Sequence, residues 1–372
     1  MNLRIKFIFP TILILNFVFI IPIEEEDDSL IRVENDEQNI FEYYYSLKDK
    51  SLFLYNVVDY ALTNLLSSEI KNTLVDSSKL KSFCEKLLNE YNSNSNNTIN
   101  PYHNIFHAAN VVENLYIFLK KIKNKYGIFN VTDEYTNLDI FTLIISAAAH
   151  DFRHPGRTNS FYRQNKNVYL ENKLKEFNGQ LEAYHINETK KLINSNDQYN
   201  ILSKLNEAQQ QRFYLVLNSS INSTDNSFNS EKANFLSKYK EVLKANTVSK
   251  AKKKLKYISN YIEIDDVKVK LLGCLLHASD LSTATRNYTT YISWTVKVNI
   301  EFCNQNKEEV EYGFENLTSC YESDKDFYKG EKSFIEFVVK VFYDPLCEAF
   351  TVLDYLCTNI GNNLNIFSSL LL

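Results

Sequence analysis

Glycine and proline are scarce in this chain: its 372 residues include 7 Gly and 5 Pro. Because these two residues build most tight turns, their scarcity argues against an all-β fold and favours long helices. The chain also lacks a glycine-rich phosphate-binding loop, a Gly-x-Ser-x-Gly motif and internal repeats. It therefore carries no signal for a P-loop domain, a serine hydrolase of that type or a repeat protein.

Neither an excess of basic residues nor a paired cysteine motif is present. The net charge of −5 and the isoelectric point near 5.8 give no signature of nucleic-acid binding, so no nucleic-acid partner is expected. The six cysteines form no Cys-x-x-Cys pair, which argues against both a zinc ribbon and a disulfide framework. We therefore expect reduced thiols, mostly in the core, at Cys84, Cys274, Cys303, Cys320, Cys347 and Cys357.

The first 45 residues differ from the rest of the chain. Residues 1–23 begin with a short basic stretch and continue with 17 uncharged residues, Phe7 to Ile23. A helix of that length spans about 26 Å, close to the roughly 30 Å hydrocarbon core of a bilayer. Residues 1–23 are predicted to form a hydrophobic anchor helix; a cleaved signal peptide and the last span of a longer membrane region are the alternatives. Residues 24–45 are predicted to be an acidic linker, and residues 46–372 the main domain.

Apolar residues recur at helical spacing through much of the main domain. The clearest amphipathic runs are 52–65, 80–88, 105–123, 139–149, 208–217 and 268–276. Five lysines lie between Lys250 and Lys256. Such a basic run is usually the solvent face of a helix, and contact with a membrane surface is the alternative. The main domain is therefore predicted to be all-α.

All six histidines lie in four short clusters. His103 and His107 are four residues apart, as are His150 and His154, so each pair lies on one face of a helix. A single histidine is more often a core residue with a satisfied hydrogen bond, but acids accompany three of these clusters. Imidazole and carboxylate ligands without a thiolate suit zinc, manganese or magnesium in a catalytic centre. The pattern therefore predicts a metal site.

Two of the clusters belong to longer motifs. The class I cyclic nucleotide phosphodiesterases, within the HD-type metallophosphohydrolases, have a double signature that this chain resembles at Tyr102-His103-Asn104-x-x-His107 and His150-Asp151-x-x-His154-Pro155-Gly156-x-x-Asn159. The resemblance continues in order at Leu181-Glu182-x-x-His185, Ser223-Thr224-Asp225, His277-Ala278-Ser279-Asp280-Leu281-Ser282 and the segment from Gln305 to Gly313. It covers the chain from about Ser46 to the C-terminus.

The resemblance implies a compact multi-helix catalytic domain that hydrolyses a 3′,5′-cyclic nucleotide, cAMP or cGMP, to the 5′-monophosphate. It implies two divalent cations, Zn²⁺ and either Mg²⁺ or Mn²⁺. The ligands that it implies are His107, His150, Asp151 and Asp280. His103 would then be the general acid that protonates the departing ribose oxygen.

The resemblance also assigns supporting roles. His154 would lie in the network of metal-bound water, Glu182 would act as an orienting acid, and Asn159 would lie behind it. For Glu182 and Asn159 the alternative is helix capping or a surface position. Tyr102 would border the substrate.

The base-recognition end departs from the family pattern. The family's purine-binding glutamine is replaced by Phe334 when positions are counted from residues 331–333, or by Ile335 when they are counted back from the later Pro-Leu pair. On the first count Phe337 is the aromatic clamp and lines the substrate pocket with Phe334. Thr283 also replaces an asparagine of the family. These changes predict weak binding and poor discrimination between adenine and guanine.

Other functions and arrangements are left open. One is a phosphohydrolase of the wider HD group that acts on another phosphoester, and another is a membrane-bound pseudoenzyme that sequesters cyclic nucleotide or scaffolds partners. A homodimer is also left open. The positive-inside rule would keep Arg4 and Lys6 in the cytosol and place the domain across the membrane. A substrate made in the cytosol argues the opposite, so we predict a membrane-associated protein whose catalytic domain faces the cytosol.

Overall fold

The computed structural model describes residues 50–91, 100–129, 135–164, 177 and 180–372. Within these ranges the regular elements are all helical, which confirms the all-α prediction. The α-helices are α1 Phe53–Leu65, α2 Ser68–Leu74, α3 Ser77–Tyr91, α4 Ile105–Ile122, α5 Thr136–Ala149, α6 Asn159–Gln164, α7 Leu181–Ser195, α8 Glu207–Asn222, α9 Asn229–Leu243, α10 Val248–Ile258, α11 Ile264–Asp280, α12 Tyr288–Glu311, α13 Asp324–Phe334, α14 Lys340–Ala349 and α15 Asp354–Leu370. A π-helical turn, Ile335–Val339, joins α13 to α14.

Four helices form the centre of the domain. Helix α4 packs against α5 and α11, and α8 packs against the same two helices. Almost every residue of α5 is buried, as expected for a helix that is apolar on all sides and surrounded by others. Helices α1 and α3 cover one side of this group, while α9, α14 and α15 pack together elsewhere in the domain.

Helices α5 and α11 are held in register by a buried ion pair near their N-termini. Lys268 Nζ lies 2.8 Å from Asp139 Oδ2, and both side chains are almost completely buried. Arg212 of α8 binds the same carboxylate at 2.7 Å. His150 and Asp151 follow α5, and Asp280 ends α11. Asp151 lies twelve residues after Asp139, and Asp280 lies twelve residues after Lys268. Because twelve helical residues rise about 18 Å, the two C-terminal ends meet at the same level.

The expectation of reduced cysteines is wrong for four of the six. Disulfides join Cys303 to Cys320 and Cys347 to Cys357, while Cys84 and Cys274 are buried thiols. The Cα atoms of the bonded pairs lie 4.6 and 6.6 Å apart, within the range a disulfide can bridge. The sequence contains no motif for these bonds because separate segments meet only after folding.

The predicted anchor (1–23) and acidic linker (24–45) lie outside the described residues. Across the part of the chain that is described, no helix is long and apolar enough to cross a bilayer.

Candidate metal and catalytic site

The first ligand is positioned by a helix cap. The side-chain oxygen of Asn104 accepts a hydrogen bond from the backbone N–H of Phe106 at 2.9 Å and thereby begins α4. His107 lies in the first turn of this helix and is buried. Its Nε2 is 3.0 Å from Asp280 Oδ1. The cap therefore places the imidazole against the end of α11.

Four predicted ligands converge at this point. His150 Nε2 lies 3.3 Å from His107 Nε2, 3.1 Å from Asp151 Oδ2 and 3.5 Å from Asp280 Oδ1. Ligand atoms that share one cation at about 2.1 Å lie about 3.0 to 3.4 Å apart in octahedral or tetrahedral geometry. The spacing of His107, His150 and Asp151, whose ligand atoms lie within 4.8 Å of one another, therefore fits one divalent cation, and Asp280 lies within 3.5 Å of both imidazoles.

The hydrogen bonds of His150 also fit a metal ligand. His150 Nδ1 lies 2.9 Å from the carbonyl oxygen of Ala147, so Nδ1 carries the proton and donates it there. Nε2 points into the cluster, where the Asp151 and Asp280 carboxylates raise the pKa of His150 well above its usual value despite its burial. A bound cation would therefore take the place of the Nε2 proton. Burial lowers the pKa of His107, which keeps that ring neutral.

The two carboxylates give the cluster its negative charge. Burial alone would raise the pKa of Asp280, but hydrogen bonds from His107 and His150 outweigh it and lower that pKa. Asp151 is buried too, and the neighbouring His150 brings its pKa well below the usual value. Both groups are therefore ionised at neutral pH and suit a cation.

Asp151 lies between this cluster and a second group. Its Oδ1 faces His185 Nε2 at 3.8 Å, while its Oδ2 faces His150. His185 Nδ1 bonds to the carbonyl oxygen of Phe152 at 2.8 Å, which leaves a buried Nε2 with no hydrogen-bond partner among the described residues. His154 belongs to the same group, whose ligand atoms lie within 4.8 Å of one another. A carboxylate with its oxygens facing two such groups can bridge two cations.

The loop after Asp151 adopts an unusual backbone conformation. Arg153 has φ of 63°, in the left-handed region that side chains other than glycine rarely adopt. Its guanidinium forms ion pairs with Glu90 and Glu188, which hold the residue in place. Gly156 has φ of 71°, and a Cβ there would lie 2.5 Å from the side-chain oxygen of Asn100. This turn therefore fixes Asp151 between the two groups.

His103 lies beside the cluster and binds Glu301 of α12. Its Nδ1 forms a short hydrogen bond with Glu301 Oε1, and the backbone N–H groups of Tyr102 and His103 donate to Oε2 at 3.0 and 3.1 Å. The His103 ring stacks on His154 with centroids 3.9 Å apart. Burial would lower the pKa of His103, but the Glu301 carboxylate raises it to about 9. The imidazolium is thus retained at neutral pH.

Glu182 and Asn159 form a direct pair. Asn159 Nδ2 lies 3.0 Å from Glu182 Oε2, and its Oδ1 accepts the backbone N–H of Leu181 at 2.8 Å. Burial raises the pKa of Glu182. The amide therefore joins the start of α6 to the start of α7. Its oxygen caps the first N–H of α7, as the capping alternative expects, while its nitrogen binds Glu182.

The residues predicted at the base-recognition end, hereafter the base end, differ in solvent accessibility. Ile335 is completely buried, Phe334 is half-buried, and Phe337 is 73% exposed on the π-helical turn. In this turn the N–H of Lys340 donates to the carbonyl oxygen of Ile335, five residues earlier. Single π-helical turns of this kind interrupt α-helices and are frequent at functional sites. Of the two candidates for the glutamine position, Phe334 alone keeps accessible surface.

Tyr102 joins the metal cluster to this end. Its ring contacts those of His107 and Trp294, with centroids 4.5 and 5.8 Å apart, and its hydroxyl lies near Thr283. Thr283 lies in the 3-10 turn Leu281–Thr285 that follows Asp280, and this turn packs against the π-helical turn. The metal cluster is therefore joined through neighbouring elements to the π-helical turn.

Sequence reasoning missed Glu301 as the partner of His103 and did not place His185 near a metal. Glu301 lies seven residues after Trp294, on the same face of α12. That spacing is the signal that could have placed a carboxyl group at the site.

Comparison with known proteins identifies the family. The profile of 3′5′-cyclic nucleotide phosphodiesterase matches residues 102–360. The chain therefore belongs to this family, and it carries a catalytic domain of the class I type. The family uses divalent metal, in agreement with the histidine and aspartate cluster.

Individual relatives agree with this assignment. The chain is 27% identical over 275 residues to the human dual specificity calcium/calmodulin-dependent 3′,5′-cyclic nucleotide phosphodiesterase 1C, covering 73% of this chain and 34% of the relative. It is 25% identical over 251 residues to a probable 3′,5′-cyclic-AMP phosphodiesterase of Caenorhabditis elegans, covering 66% and 34%. This chain thus spans about a third of the length of these relatives.

A solved structure has the same fold. The phosphodiesterase domain of a RhoPDE fusion protein from the choanoflagellate Salpingoeca rosetta superposes with a TM-score of 0.70 at 25% identity. The superposition covers 88% of this chain and 92% of that one.

Proposed function

We propose that the chain is a metal-dependent phosphodiesterase that hydrolyses a 3′,5′-cyclic nucleotide to the 5′-monophosphate. The observation that carries the proposal is the convergence of His107, His150, Asp151 and Asp280 beside the His103 ring. Zn²⁺ held by these four side chains, with Mg²⁺ or Mn²⁺ on the other side of Asp151, would activate a water and neutralise phosphoryl charge.

The chain's own residues supply proton transfer and orientation. Glu301 fixes Nδ1 of the His103 imidazolium, which leaves the Nε2–H to donate to the departing ribose oxygen. His154 stacks on His103 and limits rotation of its ring. Asn159, which begins α6 after the His154 loop, binds Glu182 and the first residue of α7.

The base end supports a weakly selective site. A glutamine amide can both donate and accept hydrogen bonds to a purine edge, whereas Phe334 offers apolar contact alone. We infer that Phe334 and Phe337 hold the base mainly by stacking and apolar contact. Discrimination between cAMP and cGMP is then poor.

The apolar sequence of residues 1–23 supports a membrane anchor, with residues 24–45 as the linker and the catalytic domain on the cytosolic side. In that position the enzyme would terminate cyclic nucleotide signalling near the bilayer.

The test is turnover of cAMP and cGMP by the purified full chain, supplied with Zn²⁺ and Mg²⁺ and followed by phosphorus NMR. We expect the 5′-monophosphate from both substrates and no turnover after chelation. Tight binding without turnover would instead support the sequestering pseudoenzyme. Hydrolysis confined to other phosphoesters would support the wider HD group.

A further inference from the structure

Helix α10 has two contrasting faces. Ala251 and Leu255 are buried against the domain, where α10 packs on α9. The opposite face consists of residues three or four apart, all of them exposed: Ser249, Lys252, Lys253, Lys256 and Tyr257. The apolar stripe holds the helix on the domain, so the lysine stripe points into solvent.

Three lysines of this face have no acidic partner within the described ranges. Lys254 pairs with Glu241 at 2.9 Å and therefore belongs to a surface ion pair. Lys252, Lys253 and Lys256 form no such pair; together with Val248 and Ser249 they line an open groove of about 500 Å³. In a chain of net charge −5, they concentrate unpaired positive charge on one helix face.

Two exposed aromatic residues follow the lysines: Tyr257 in the last turn of α10 and Tyr261 three residues beyond the end of the helix. Tyr257 is 82% exposed and Tyr261 is 95% exposed. Tyr257 follows Lys253 by one helical turn and so extends the lysine stripe. A tyrosine ring with an apolar body and a polar hydroxyl is suited to the headgroup level of a bilayer.

We propose that this surface, formed by Lys252, Lys253, Lys256, Tyr257 and Tyr261, docks on a membrane that contains anionic phospholipids. The charge is complementary to such a surface, and the tyrosines supply amphipathic contact that a purely solvated face does not need. The chain also carries the apolar segment 7–23. Residues 24–49 can extend at most about 90 Å, which lets the domain reach a bilayer that holds that segment.

The proposal does not depend on catalysis, and its test reads α10 directly. The full chain is mixed with vesicles of phosphatidylcholine, with and without about 30% phosphatidylserine, and acetylation of each lysine is followed by mass spectrometry. We expect acetylation of Lys252, Lys253 and Lys256 to slow at least about fivefold on anionic vesicles only. About 0.5 M salt should abolish this protection because it shortens the screening length. If residues 7–23 already anchor the chain in the vesicle, the same slowing of lysine acetylation is expected on anionic vesicles only.

Variants separate this surface from general charge. In the variant K252E/K253E/K256E, the gain in binding to anionic over neutral vesicles should fall about 100-fold, from roughly fivefold per lysine. The matched variant K81E/K307E/K325E changes three other exposed lysines and should keep that gain. Tyr257→Ser with Tyr261→Ser should weaken binding while leaving its salt dependence unchanged.

Three results would overturn the proposal. The first is equal protection of the three lysines from acetylation on neutral and anionic vesicles. The second is an equal loss of vesicle binding in the matched lysine variant, and the third is unchanged vesicle binding in the tyrosine variant. The last would indicate a soluble polyanion or an acidic protein as the partner. Helical circular dichroism and cyclic nucleotide turnover should stay at wild-type levels in every variant, because none of these residues lies in the catalytic site.

Discussion

At the residue scale, the His103–Glu301 pair determines which proton the site can donate. Glu301 accepts hydrogen bonds from the His103 ring and from two backbone N–H groups, so its position is fixed by three contacts. It is buried, yet the charge of His103 lowers its pKa to about 2. The ion pair therefore persists across the neutral range.

Removal of the acid should impair turnover without loss of structure. His103→Ala should lower kcat by roughly 10² to 10⁴ and leave metal content unchanged. An activated ester, such as a nitrophenyl phosphodiester, needs no protonation of its leaving group and should lose much less. Equal losses for both substrates would show that His103 is a ligand or a structural residue.

The pH dependence should reveal the role of Glu301. His103 must be protonated to act as an acid, so activity is present below its pKa and falls as pH rises through about 9. Glu301→Gln removes the charge that raises this pKa and should move the fall in kcat to lower pH. Glu311→Gln, at an exposed position of the same helix, is the control. An unshifted profile would contradict the assignment.

The base end allows a paired test. Phe334→Gln restores an amide at an accessible position and should raise kcat/KM for one base by about 5-fold to 150-fold, from two hydrogen bonds of about 0.5 to 1.5 kcal/mol each. Ile335→Gln buries the amide instead and should reduce stability by about 1 to 3 kcal/mol without lowering KM. Measured KM values for cAMP and cGMP decide between them. A wild-type protein that already binds one of the two cyclic nucleotides tightly and selectively would mean that another residue recognises the purine.

At the element scale, the register of α5 and α11 depends on Asp139. Asp139→Asn removes the buried carboxylate charge that binds both Lys268 and Arg212 and should reduce the free energy of unfolding by about 3 kcal/mol or more. Glu348→Gln breaks the exposed pair with Lys240 and should change it by less than about 1 kcal/mol. Urea unfolding measures both. Similar losses would show that the buried pair does not hold the two helices together.

At the scale of the whole molecule, the metal cluster should couple binding to stability. A cation that binds the folded chain alone stabilises it by mass action. Added Zn²⁺ should therefore raise the Tm of the chelated, dialysed protein. Asp280→Ala should abolish both the shift and the bound metal. A Tm that does not respond to Zn²⁺ in the wild type would argue against the site.

The sequence by itself determined the helical fold class and the chemical character of the site. Apolar spacing is local, so amphipathic helices such as 105–123 can be read without knowledge of the fold. The four-residue spacing of His103 and His107 is equally local, and the residue types alone favour a divalent cation. The motifs then placed these residues in a phosphodiesterase family that the profile match confirms.

Only the tertiary structure decided which distant groups meet. Glu301 is 198 residues from His103, and Asp280 is 173 residues from His107. The burial of Ile335 and the lysine face of α10, which has no acidic partner among the described residues, depend in the same way on which helices pack together. Periodicity gives the face of each helix but neither its neighbour nor its axial register, and those are set by long-range packing such as the Asp139–Lys268 pair.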